Sequence, residues 1–98
     1  MIGFTRSVAL EAAEYDILVN AVCPGPTETK LHFQDIGFQT SYTGISEKEH
    51  LAKELASIPL KKLGKPREVA RLVLFLVSEE NTHITGEAVN VSGGVVMH

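Results

Sequence analysis

Ile17-Leu18-Val19-Asn20-Ala21-Val22-Cys23-Pro24-Gly25-Pro26-Thr27-Glu28-Thr29 is the stretch on which the reading of the fold turns. Its first six residues, Ile17 to Val22, are rich in β-branched side chains and almost continuously apolar. Strands that are covered on both faces of a parallel sheet have that character, whereas a half-exposed strand would alternate. Cys23-Pro24-Gly25-Pro26 stops the run abruptly. Asn20 is the one amide inside it, and reads as a buried polar anchor that bonds neighbouring backbone; the alternative, an exposed strand residue, fits the apolar context less well. A second short strand is predicted over Ala88 to Val91, entered through the Thr85-Gly86 turn and closed by Ser92-Gly93-Gly94.

Helices fill the space around these strands. Ile2 to Glu14 contains no proline and places Phe4, Val8 and Ala12 on one stripe and Ile2, Ala9 and Ala13 on another, so burial on two sides is expected. It carries no N-cap of its own, an expected sign of truncation. Ser46-Glu47-Lys48-Glu49 matches a capping box and opens a helix to about Ser57, with Leu51, Leu55 and Ile58 on one face. Pro66 suits the first position of a further helix, and Glu68 in its first turn suits the dipole. That helix is predicted to run to about Glu79 and to be covered on both sides. Lys30 to Ile45 reads as a mobile loop with at most one helical turn. The order helix, strand, loop, helix, helix, strand argues for a parallel strand pair joined by a right-handed crossover. Two parallel strands do not make a self-sufficient sheet. The expected class is therefore α/β, the C-terminal portion of a doubly wound, Rossmann-like parallel sheet.

Composition sets outer bounds. The chain has 98 residues, 44% of them hydrophobic, and a net charge of −3. That is one small domain, too apolar for a disordered tail. Lys61, Lys62, Lys65 and Arg67 form the densest basic stretch and acids flank them, so a solvated surface is expected and a nucleic-acid partner is not. The longest strongly apolar run, Leu72 to Val77, is far short of the roughly 18–20 residues that span a bilayer. No secretory signal is read at Met1 to Arg6. With Cys23 as the only cysteine, the expectation is a cytoplasmic protein with no membrane association. Cys23 reads as a small packing residue. His32, His50, His83 and His98 show no metal-ligand spacing.

Four motifs then stand in order. Gly3-Phe4-Thr5-Arg6-Ser7-Val8-Ala9-Leu10-Glu11 resembles the helix that follows the catalytic Tyr-x-x-x-Lys of short-chain dehydrogenases/reductases. The opening stretch resembles that family's next strand and its Pro-Gly-x-x-x-Thr cofactor loop. Gly64-Lys65-Pro66-Arg67-Glu68-Val69-Ala70 resembles the start of its last long helix. Ile84 to Gly94 resembles its final strand and terminal turn. Together they cover nearly the whole chain. Three positions depart from the pattern: Leu18 for a commonly basic residue, Thr27 for a valine or isoleucine, and Ser92 for an aspartate.

The resemblance implies a parent oxidoreductase that uses NAD or NADP on a small alcohol/ketone pair and is a homo-oligomer. It implies that Pro24 and Gly25 set the cofactor loop and allow close approach. The Thr27 backbone would then hold the nicotinamide carboxamide, and the Thr29 hydroxyl would bond it. The plainer alternative is that Pro-Gly-Pro only breaks the strand. Residues 30–58 would be the substrate lid, lined by His32, Phe33, Phe38 and Tyr42, with surface loop and core packing as the alternative for each.

The same resemblance shows what is not here. No G-x-x-x-G-x-G turn occurs for the pyrophosphate, and neither Tyr15 nor Tyr42 has a lysine four residues later. The family's lysine would fall about three residues before Met1, an estimate from motif context. Residues 1–98 are thus expected to be a single partial domain with no catalytic residue of its own, and a non-catalytic oligomerisation fragment is the alternative of another class. The choice between NAD and NADP is made near the fold's second strand, and no part of this sequence resembles it.

Overall fold

The computed structural model describes residues 2–96. His98 lies outside the described residues. Helix α1 (Ile2–Ala13) leads to strand β1 (Ala21–Pro24), then helices α2 (Lys30–Thr43), α3 (Glu47–Ser57) and α4 (Pro66–Leu76), and strand β2 (Ala88–Val91). The two strands pair in parallel, with Ala21, Val22, Cys23 and Pro24 opposite Ala88, Val89, Asn90 and Val91. The α/β class and the parallel pair are as the sequence predicts, and β2 has the predicted bounds.

Strand β1 does not. The ladder begins at Ala21, four residues later than the apolar run; just upstream a single backbone bond, from Gly86 N–H to the Val19 carbonyl at 2.7 Å, is joined by side-chain bonds. Val19 N–H donates to Thr85 Oγ1 at 3.0 Å. Asn20 Nδ2 donates to the Ile84 carbonyl at 2.9 Å, and Glu87 N–H donates to Asn20 Oδ1 at 3.1 Å. Asn20 is therefore the polar anchor of the two segments, though half-buried and not buried as expected.

The second difference is larger. Residues 30–43 form a continuous helix of 14 residues where a loop is predicted. Two caps outweigh its mixed composition. Thr29 accepts from His32 N–H at 3.2 Å, satisfying one of the unpaired donors of the first turn. Gly44, at φ 73°, supplies the left-handed turn that ends it, its N–H donating to the Thr40 carbonyl. Ser46 then caps α3, receiving Glu49 N–H at 3.2 Å. Helix α3 runs back along α2, since Thr43 meets His50 at one end of the pair and His32 meets Glu54 at the other.

Helix α4 ends at Leu76, short of Glu79. Asn81 explains the stop. Its Nδ2 donates to the Leu76 carbonyl at 3.0 Å and to the Ile84 carbonyl at 3.1 Å, and its Oδ1 accepts from Ile84 N–H at 2.9 Å. One buried amide thus closes the helix and launches the chain toward β2.

The core is thin: Ala9, Ile36, Ile58 and Leu76 are the buried apolar residues, with Thr5 and Asn81 the buried polar ones. Much of the apolar surface expected to be covered is not. Phe4, Leu10, Ile17, Val73, Leu74, Phe75 and Val77 are exposed. The accessible surface is 7245 Å², against roughly 5,500 Å² for a compact monomer of this mass. The radius of gyration is 17.0 Å, against about 13 Å for a compact chain of this length. The exposed apolar side chains stand on α1, just before β1 and along α4.

Candidate cofactor loop

The loop that leaves β1 is held by its backbone to two places. Gly25 N–H donates to the Val91 carbonyl at 2.9 Å, which carries the parallel pairing one residue past the strand. A Cβ on Gly25 would sit 2.8 Å from Ser92 Cβ and 2.9 Å from Ser92 Cα. The close approach that requires glycine here is therefore made to the turn after β2. Two residues on, Gly64 N–H donates to the Pro26 carbonyl at 3.0 Å and Glu28 N–H to the Gly64 carbonyl at 2.7 Å. This parallel bridge of Thr27 with Gly64 spends the backbone groups on either side of Thr27. Thr27's own N–H and C=O consequently face away from Gly64, as alternation along a strand requires. Its hydroxyl turns back to donate to the Gly25 carbonyl at 2.7 Å. What Thr27 offers outward is backbone.

Thr29 sits at the N-cap of α2. A threonine hydroxyl has one proton to donate and two lone pairs. The cap takes one lone pair, so the O–H remains available to an acceptor beyond the start of the helix. Gly25, Pro26, Thr27, Thr29, Leu31, His32 and Asp35 line one open cleft of about 440 Å³. Thr27 and Thr29 line the same space, the first with a backbone donor and acceptor not spent on Gly64, the second with a hydroxyl. A primary amide, which carries both an N–H pair and a carbonyl, complements that set.

Three of the four predicted loop residues, Gly25, Thr27 and Thr29, meet at this cleft. Pro24 is exposed at the end of β1 and does not line it. Of the predicted lid residues, His32 lines the cleft. Phe33 faces a different depression, beside Leu51 and Leu55. Phe38 and Tyr42 are exposed and meet in a tilted contact, ring centres 5.5 Å apart. Leu31 and Asp35 also line the cleft without a sequence motif to mark them; once α2 is known to be a helix, Asp35 follows from Leu31 and His32 at spacings of four and three. Among the described residues no group of three His, Cys, Asp or Glu is placed to hold a metal ion. No helix among them is long and apolar enough to cross a membrane.

A sequence profile of the family described as enoyl-(acyl carrier protein) reductase matches residues 1–96. A short-chain dehydrogenase family protein from Francisella tularensis superposes with a TM-score of 0.91 at 37% identity, over 96% of this chain and 39% of that one. The chain belongs to the short-chain dehydrogenase/reductase family.

Its curated relatives in that family include the 3-oxoacyl-(acyl-carrier-protein) reductase of Aquifex aeolicus, 43% identical over 95 residues. That match takes in 97% of this chain and 34% of the relative. An acetoacetyl-CoA reductase from an Acinetobacter strain is 37% identical over 99 residues, 35% of its length. A solved actinorhodin polyketide ketoreductase, described with NADPH, superposes with a TM-score of 0.87 at 34% identity, over 96% of this chain and 36% of that one. The chain spans about a third of the length of the curated short-chain dehydrogenase/reductase relatives it matches. Its two strands and four helices correspond to part of their Rossmann-like fold.

Proposed function

We propose that this chain supplies the nicotinamide end of the cofactor site, and the substrate lid, of an NAD(P)-dependent oxidoreductase acting on an alcohol/ketone pair. The observation that carries the reading is the convergence of Gly25, Thr27 and Thr29 on one cleft, with the Thr27 hydroxyl bonded back to Gly25 and Thr29 capping α2. In this reading the Thr27 backbone and the Thr29 O–H fix the carboxamide and so choose which face of the nicotinamide meets the substrate. Gly25, drawn tight against Ser92, holds the loop at the height of the strand ends, where ligands bind in open α/β sheets. The bound cofactor would supply the hydride. Residues 30–58, now the α2–α3 hairpin, would cover the substrate.

Residues 1–98 are proposed to act as one partial domain. The Gly-rich turn and the Tyr-x-x-x-Lys pair would come from chain outside these residues, and the chain by itself should not turn over a carbonyl compound. The assembled protein is proposed to be a cytoplasmic homo-oligomer.

A hybrid tests this. The corresponding third of the Aquifex reductase is replaced by this chain, and NADPH-linked reduction of a 3-oxoacyl thioester is followed. Turnover by the hybrid, with a cofactor KM raised about tenfold by Thr29→Val, supports the reading, a tenfold change being the loss of one hydrogen bond of about 1.4 kcal/mol. A folded hybrid that binds no NADPH refutes it.

The exposed apolar faces favour a second reading, a non-catalytic interaction fragment. The surplus surface noted above is about twice the roughly 800 Å² that one partner contributes to a standard protein–protein interface. Light scattering on the purified chain separates the two, since a monodisperse monomer would count against this alternative.

A further inference from the structure

The structure assigns to Glu54, acting through His32, the positioning of the Thr29 hydroxyl; this inference rests on the function proposed above. His32 Nε2 and Glu54 Oε1 lie 2.6 Å apart, with the two side chains 22% and 25% exposed. Among the described residues this is the one side-chain pair between a basic and an acidic residue within bonding distance. It ties the first turn of α2 to the last turns of α3, across 22 residues of sequence.

Its place in the hairpin says what it is for. The closed end of the hairpin is already secured by the Gly44 turn, the Ser46 cap and the contact of Thr43 with His50 at 3.1 Å. The open end lies at the cleft. There the first turn of α2 is held locally by two hydrogen bonds to Thr29, from His32 N–H to the hydroxyl and from Phe33 N–H to the carbonyl. His32 is thus bonded at both ends: its backbone to the Thr29 hydroxyl, its ring to Glu54. A cap on the first turn of a helix is where fraying begins. Clamping the His32 ring to α3 keeps that turn wound, which keeps the Thr29 lone pair occupied and its O–H aimed into the cleft. Glu54 is outside the cleft lining and acts only through this chain of contacts. It is a positioning residue, and couples the lid hairpin to the cofactor loop.

The test uses the hybrid reductase, which contains the full chain. Glu54→Ala is expected to raise the KM for NADPH about three- to tenfold, the scale of one charge-assisted hydrogen bond transmitted in part. kcat and the KM for the thioester should stay within about twofold. Glu54→Gln keeps an oxygen acceptor opposite His32 and should recover most of the loss. His32 itself lines the cleft, so His32→Asn is read in the double variant, where adding Glu54→Ala should raise the cofactor KM no further, as for residues in one pathway. Thr29→Val is the reference. If it raises the cofactor KM while Glu54→Ala and His32→Asn do not, the positioning role is overturned and the cofactor reading stands. If Thr29→Val also leaves the cofactor KM unchanged, the cofactor reading falls and takes this inference with it. A uniform loss in kcat and both KM values, unrescued by Glu54→Gln, overturns the role as well, because that is the mark of a general structural contact. Should Glu54→Ala not fold, His32→Asn and Glu54→Gln carry the comparison, and equal cofactor KM values for these two overturn the inference.

Discussion

Gly25→Ala is the substitution whose outcome the structure determines most sharply. The added Cβ would stand 2.8 Å from Ser92 Cβ and 2.9 Å from Ser92 Cα. Ordinary carbon packing begins near 3.4 Å, so the loop and the turn after β2 must part by about 0.6 Å. Neither side can yield by rotating a side chain, because both clashes involve atoms on or next to the backbone. The separation also stretches the bond from Gly25 N–H to the Val91 carbonyl, now 2.9 Å. Overpacking of this kind costs about 1–3 kcal/mol.

Urea denaturation of the hybrid reductase, read by circular dichroism, measures the cost. Ser92→Gly in the same background provides the control. It relieves the clash with Ser92 Cβ and leaves the one with the backbone, so the double variant should recover part of the loss, with a coupling energy of at least about 1 kcal/mol. Ser92→Gly alone will also cost something, since Ser92 Oγ exchanges hydrogen bonds with Val96 across its turn. A Gly25→Ala variant within about 0.5 kcal/mol of the parent, or effects that simply add, would refute the reasoning that glycine is required here by Ser92.

Asn81→Ala should destabilise the chain by about 2–3 kcal/mol, because it leaves the Leu76 carbonyl and the Ile84 N–H without their side-chain partner while the Ile84 carbonyl keeps Asn20; denaturant titration checks it, with Asn81→Asp expected to recover only the bond from Ile84 N–H. Ile58→Ala, at the most deeply buried side chain, should cost about 2–5 kcal/mol by the same measurement. Thr29→Val removes the cap of α2 as well as a cofactor bond, so about 1 kcal/mol of stability should be lost beside the rise in cofactor KM; Thr29→Ser should restore both. Replacing Val73 and Val77 by lysine should reduce association of the isolated chain in light scattering, since both residues are exposed and line the apolar depression beside β1.

Much of the fold is legible in the sequence because its signals are local. Pro66 and Glu68 announce α4, Ser46 and Glu49 announce α3, and the run Ala88 to Val91 has the bounds of β2. The parallel pairing follows from the spacing of two apolar runs around helices. Helix α2 is hidden because its composition is mixed and two glycines punctuate its neighbourhood; the cue is the pair of caps, Thr29 and Gly44, at the right separation. The start of β1 is hidden because apolar character marks burial, while the ladder is decided by where Thr85 and Asn20 substitute side-chain bonds for it. Asn81 leaves no periodic signal at all. At the candidate site, Gly25, Thr27 and Thr29 are readable through a family motif, whereas the pairing of His32 with Glu54 depends on a hairpin that residue periodicity does not announce.

The hairpin has a consequence for how such a protein can diversify. Helices α2 and α3 close upon each other, and the chain enters the hairpin at Thr29 and leaves it at Ile58. Residues along the outer faces, such as Phe38 and Tyr42, answer to solvent and to whatever lies beneath the cover, and the strand pair does not constrain them. Such a stem can be lengthened, shortened or exchanged for another without disturbing the scaffold, provided the two attachment points and the clasp between them are kept. New substrates could then be tried by altering one module while the dinucleotide grip stays as it is.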